Sequence, residues 1–220
     1  NGLGLEAWIS KFMMSAGEIP KVKLTDGLKP LLIEGDAYAG KPNPHAWMSP
    51  KRAINYVDKI ADAFIKIDPE GGLEYKSNAS TYKAKLELLD KELRDSLSLI
   101  PKERRFLVTC EGAFTYLARD YGMKEGYLWP VNSESQVTPR RMVNLIKTIK
   151  ENKIPTIFCE STVSSEAQIE VAKSSGSVFG GTFYVDSLSG LDGPAPTYID
   201  LLRHNVALIT EGLSLSGAKK

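Results

Sequence analysis

The sequence predicts an α/β protein in which two lobes are joined by one long helix, and three observations lead there. Beyond Pro101 short apolar runs alternate with helical patterns, the signature of a parallel sheet with crossover helices. Ahead of that region one helical pattern runs from about Glu74 to Ile100, with Tyr82, Leu86, Leu89, Leu93, Leu97 and Ile100 spaced by three or four residues along one stripe. The chain has 220 residues and 42% hydrophobic content, enough for one large domain or two small ones with a true core.

Taken in order, residues 1–20 suggest a helix around Leu5 to Met14, and residues 21–40 a loop with strand-like pieces, notably Leu31-Leu32-Ile33. The segment Asn43-Pro44-His45-Ala46-Trp47 then sets one of only two histidines in a loop just ahead of a helix. Pro42 and Pro44 stiffen the approach, because each fixes φ and biases its predecessor towards extended geometry. Ser49-Pro50 reads as an N-cap followed by proline at the first helical position. The helix body, Ala53 through Ile67, puts Ile54, Val57, Ile60, Ala61, Phe64 and Ile65 on one face. Asp68-Pro69-Glu70-Gly71-Gly72 breaks that pattern and opens the long helix. At ~1.5 Å per residue it spans about 37 Å, longer than globular helices usually run. It has too few clean heptads for a coiled coil, and a spine between lobes fits better. The division expected is residues 1–68, 69–100 and 101–220: first lobe, connecting helix, second lobe.

In the second lobe the expected elements are strand Phe106–Thr109, helix Ala113–Tyr121, strand Gly126–Trp129, helix Pro139–Asn152, strand Thr156–Cys159, helix Glu166–Ser174, strand Thr182–Val185 and a last helix from about Thr197 to Leu213. Thr138-Pro139 supplies an N-cap with proline at N1, and Gly122 and Gly176 sit where C-terminal caps belong.

A formal net charge of +1 gives no electrostatic case for nucleic acid or an anionic membrane. No apolar run approaches the roughly 20 residues of a membrane span, and no signal peptide is visible at Asn1-Gly2-Leu3-Gly4, which looks like the interior of a longer protein. The two cysteines, Cys110 and Cys159, make no disulfide framework and lack metal-ligand spacing. Each ends a strand-like run, so the thiols would lie close if those strands were neighbours, but the reading taken is two small buried hydrophobes.

In an open parallel sheet, ligands bind outside the carboxyl ends of the strands. The residues there are Glu111, Pro130, Glu160 and Asp186. A carboxylate beyond a strand often does no more than cap the next helix, which is how Glu160 is read. Glu111 has Gly112 beside it at a strand-to-helix turn, and Asp186 precedes the loop Ser187–Pro196, rich in glycine, serine and proline. With His45, these two carboxylates make a hard N/O donor set suited to Mn²⁺, Fe²⁺ or Zn²⁺.

These segments, together with Val108-Thr109-Cys110-Glu111-Gly112-Ala113-Phe114 and Tyr184-Val185-Asp186-Ser187, resemble the solute-binding proteins of manganese and zinc ABC importers. The resemblance covers essentially the whole chain. His45, Glu111 and Asp186 are separated by 66 and 75 positions, with the helical spine between the first two. It implies two parallel-sheet α/β lobes on a rigid helix, with a metal held between them by two histidines of the first lobe and two ligands of the second. His45 corresponds to the second histidine, Glu111 to the third ligand and Asp186 to the fourth. Nothing here matches the first histidine or the opening strands, so the first lobe is expected to be incomplete in this chain. His204 does not substitute, and is read as a solvated helix-face residue. Zinc-type relatives typically carry histidine where Glu111 stands and a loop rich in histidine and aspartate before the second histidine, where Gly35–Asn43 has no histidine, so Mn²⁺ is favoured as transported ligand, with Zn²⁺ and Fe²⁺ as alternatives.

The resemblance implies a non-enzymatic, monomeric carrier at the periplasmic or outer face of the cell membrane, delivering its metal to an ABC permease without binding nucleic acid. The uninterrupted helix implies that release works through the Asp186 loop rather than through wide lobe opening. Two other classes compete with it: a metallohydrolase with Glu160 as general base, which no HExxH-type motif supports, and a surface adhesin, for which no repeat or large apolar surface argues.

Overall fold

The computed structural model describes residues 1–6, 8–15, 19–34, 38–131 and 137–214. Two compact units divide the chain, one from Asn1 to Asp90 and one from Lys91 onward.

The first unit contains α1 (Ile9–Ser15), a 3₁₀ turn at Ala46–Met48, α2 (Pro50–Ile67) and the greater part of α3 (Gly72–Ser98). α1 starts later than its apolar pattern suggests. Gly2, Leu3 and Gly4 all take positive φ (108°, 55° and 87°), which winds the opening into turns instead of helix. Leu31-Leu32-Ile33 forms no ladder. The chain folds straight back, so that Leu32 and Pro42 make one isolated antiparallel bridge and the Ile33 N–H donates to Lys41 O at 2.9 Å. Of the loop Gly35–Asn43, residues 35–37 lie outside the described residues.

α2 begins where its sequence signals place it, with Ser49 extended at the N-cap and Pro50 at the first position. Its buried residues are Pro50, Ala53, Tyr56 and Ala61, whereas Ile60 and Phe64, expected on the apolar face, are exposed. Phe64 instead meets the ring of Tyr75 on α3, centroids 5.4 Å apart. On α3 the predicted stripe is real: Leu86, Leu89, Leu93 and Leu97 are buried, and Ile100 just beyond the helix joins them.

The second unit holds β1 (Phe106–Glu111), α4 (Thr115–Asp120), β2 (Lys124–Trp129), α5 (Pro139–Asn152), β3 (Thr156–Glu160), α6 (Glu166–Ser175), β4 (Val178–Phe183) and α7 (Tyr198–Ser214). β1 pairs in parallel with β2, in register from Phe106↔Lys124 to Glu111↔Trp129; β3 pairs in parallel with β4, from Thr156↔Val178 to Glu160↔Phe183. β1 lies against β3, and these two strands are buried almost end to end, as strands covered on both faces must be. Phe183 stacks on Phe158 (4.5 Å) and tilts against Phe114 (5.0 Å), tying β4, β3 and the turn after β1 into one core.

Thr138 caps α5, its hydroxyl accepting from the Arg141 N–H at 3.3 Å, and Gly176 closes α6 in the left-handed conformation. β4 starts and ends earlier than Thr182–Val185. Gly180-Gly181 hides the strand from a side-chain pattern, and it is required there: a Cβ at Gly180 would stand 2.2 Å from Thr156 Cγ2.

The cysteine reading needs correction. Cys110 and Cys159 are joined by a disulfide, with Cα atoms 4.8 Å apart. Their strands are neighbours, and each cysteine is the penultimate residue of its strand, which brings the two thiols face to face. His204 is corrected as well: its Nε2 lies 3.1 Å from Thr182 O and its ring 5.5 Å from that of Tyr184. A carbonyl only accepts, so Nε2 carries the proton, and the residue ties α7 to β4. Among the described residues no helix is long and apolar enough to cross a membrane.

Candidate metal centre

In the first unit the candidate ligand is His45, fully buried at the start of the 3₁₀ turn. Asn43 Oδ1 lies 3.0 Å from the His45 main-chain N and 3.0 Å from its Nδ1. A backbone N–H can only donate, so the atom facing it is the carboxamide oxygen, and Nδ1 must then be the protonated ring nitrogen. The lone pair is thereby placed on Nε2, the arrangement found at metal-binding histidines. The loop is fixed from behind. Tyr56 of α2 donates to Asn1 Oδ1, and Asn1 Nδ2 donates to Pro44 O at 2.9 Å. Burial alone takes the imidazole pKa from 6.5 down to about 3, so the ring is neutral over the physiological range.

In the second unit Glu111 ends β1 and is buried. The turn that succeeds it is tight: the Gly112 N–H donates to Trp129 O at 2.9 Å, and a Cβ at Gly112 would come within 2.7 Å of Pro130 O. Only glycine lets the chain turn there without moving β2. The Glu111 N–H donates to Oε2 of Glu160, 3.2 Å away at the end of β3. Glu160 is itself buried, and its pKa is raised well above the carboxylate range, first by burial and then by the charge of Glu111.

Asp186 stands three residues beyond β4. It is surface-exposed, yet enough protein surrounds its carboxyl for desolvation to raise the pKa. A carboxylate oxygen of Asp186 lies within 4.8 Å of one of Glu111. Two oxygens that share a cation about 2.2 Å from each stand no more than about 4.4 Å apart, a separation of the same order. The loop beyond is braced internally, with Ser189 N donating to Ala195 O (2.9 Å) and Ala195 N to Ser189 Oγ (3.0 Å).

The chain matches the family described as zinc-uptake complex component A, periplasmic, over residues 1–212. The chain belongs to this family. Among its relatives, the iron-binding protein YfeA of Yersinia pestis is 48% identical over 212 residues, covering 96% of this chain and 68% of that protein. The manganese ABC transporter substrate-binding lipoprotein PsaA of Streptococcus pneumoniae is 31% identical over 221 residues, covering 97% and 71%. Among solved structures, the manganese-bound periplasmic metal-binding protein of Candidatus Liberibacter asiaticus superposes with a TM-score of 0.85 at 39% identity over 97% of this chain and 79% of that one. The periplasmic zinc-binding protein TroA of Treponema pallidum gives 0.88 at 25% identity, with 98% and 79% covered. Members of the zinc-uptake component A family are the metal-binding components of ABC importers and work outside the cytoplasm.

Three contributors have roles here that sequence reasoning does not assign. Asn43 lies inside the segment that singles out His45, and its signal is the two-residue spacing from the imidazole, at which an asparagine side chain bonds back to the chain. Glu160 reads from sequence only as a helix cap or a hydrolytic base. The disulfide is legible only as a condition on strand order.

Proposed function

We propose that His45, Glu111 and Asp186 bind one divalent transition-metal cation as cargo, and that the protein hands it to the membrane permease of an ABC importer. The observation that carries this reading is the pair of carboxylates, Glu111 and Asp186, brought within 4.8 Å of each other at the carboxyl edge of the strands. His45 joins them through Nε2, the nitrogen that the Asn43 bond leaves deprotonated. One imidazole and two carboxylates form a hard donor set, which favours Mn²⁺ or Fe²⁺ over Zn²⁺ in use, although Zn²⁺ can still bind tightly in a test tube. The relatives named for manganese, iron and zinc span the same range. We favour Mn²⁺, and a monomer as the working form.

The Cys110–Cys159 disulfide supports an extracytoplasmic site of action, since such bonds persist in oxidising compartments. α3 has no proline and no glycine beyond its first residue, so bending it would break backbone hydrogen bonds with no built-in kink point. Release therefore acts through Asp186 and the loop beyond it.

Calorimetric titration with Mn²⁺, anaerobic Fe²⁺ and Zn²⁺ tests the assignment. His45→Ala, Glu111→Ala and Asp186→Ala should each weaken binding at least tenfold, the scale expected of lost ligands. Unchanged affinity in any one of them removes that residue from the site.

A further inference from the structure

Asn205 is fully buried on α7, on the face the helix turns to the sheet with Leu201, Leu202, Val206 and Ile209. A carboxamide there is costly unless both its ends are bonded. Both ends go to one residue. Oδ1 accepts from the Tyr184 N–H at 3.0 Å, and Nδ2 donates to Tyr184 O at 2.7 Å. Tyr184 is the first residue beyond the β3–β4 ladder, whose last partners are Glu160 and Phe183. The side chain therefore takes the place of a strand neighbour, satisfying the main-chain donor and acceptor at the point where the ladder ends. His204, the preceding helical residue, reinforces it through Thr182 O and the Tyr184 ring. Val185 is buried next, and Asp186 comes directly after it.

We infer that Asn205 is a positioning residue for the metal site: it fixes the backbone two residues ahead of Asp186 and thereby sets how long a bound cation stays. The inference rests on Asp186 being a ligand. The clamp holds the approach to Asp186, while the Ser161–Ser187 hydroxyl bond (2.7 Å) and the Ser189–Ala195 bonds hold the chain beyond, which confines the Asp186 carboxylate between fixed points on both sides. A loosened clamp leaves the encounter with the cation unchanged and speeds its loss.

Stopped-flow measurement with Mn²⁺ alone tests this on the full chain. In Asn205→Ala the dissociation rate should rise about tenfold, the lower end of the range for residues that orient a ligand, with the association rate within about twofold. Asn205→Asp, which can still accept from Tyr184 N–H, should fall between. In the Asp186→Ala background, Asn205→Ala should change Mn²⁺ affinity no further, whereas a residue that merely stabilises the fold would lower thermal stability in both backgrounds and leave dissociation alone. An unchanged dissociation rate in Asn205→Ala, with Asp186→Ala at least tenfold weaker, overturns the role of Asn205 and leaves the site standing. Asp186→Ala binding like wild type overturns the site itself. Hydrogen exchange on the unmutated protein covers the case of a variant that does not fold: the Tyr184 amide should be protected with and without Mn²⁺, and free exchange there overturns the clamp.

Discussion

His45 is neutral in the folded chain because burial removes the hydration that an imidazolium needs, and its pKa falls from 6.5 to about 3. The unfolded chain binds the extra proton between those values, so stability falls as pH drops through that window and is unaffected above it. Replacing His45 by Gln should remove this slope. By urea unfolding, wild type should lose roughly 2 kcal/mol more than the variant between pH 7 and pH 4.5; parallel losses would mean the ring is not buried as described. Glu160 has the opposite sign. A carboxyl whose folded pKa is raised contributes stability below its unfolded value near 4.5 and loses it as pH climbs through the folded value. Glu160→Gln should therefore raise the melting temperature of the metal-free protein at pH 7, with the gain vanishing below pH 4.5. A loss of stability at pH 7 would show that the charge is needed there.

At the scale of elements, helices with strong periodic signals are readable from sequence to within a residue or two. α5 spans the residues its Thr138-Pro139 start implies. Strands are harder, because β4 uses Gly180 and Gly181 for close packing and so shows little side-chain pattern. α2 shows an apolar face wider than its buried one. Of the proposed site, the two carboxylates are readable from sequence because parallel strands end where ligands bind. The groups that hold the proposed ligands in place are not: Asn43 works on His45 through a two-residue spacing, while Glu160 and Asn205 act across strands or from a distant helix. α5 also ends unusually. Its C-cap is Lys153, exposed and at φ 50°, a left-handed conformation that a Cβ disfavours. Lys153→Gly should stabilise the chain by about 1 kcal/mol, read as a rise in the urea midpoint at constant slope. A drop would show that the lysine side chain makes contacts outweighing the backbone strain.

At the scale of the whole molecule, the disulfide is the largest single covalent constraint. It joins residues 49 apart in sequence. In the chain-entropy account such a loop is worth about 4 kcal/mol to the folded state. Thiol treatment, or a Cys110→Ala/Cys159→Ala pair, should lower the unfolding free energy by up to that amount; no change would mean the bond does not form in solution.

The same bond makes a closed ring of the chain between Cys110 and Cys159, with α4, β2 and α5 inside it. A protease that cuts once anywhere in that ring produces no separate fragments: the nicked protein keeps its two pieces joined until a reductant is added. Glu111 and Glu160, each one residue past a bonded cysteine, stay tethered to each other through the cut, so the covalent frame of the carboxylate site survives damage that would sever an unbridged chain.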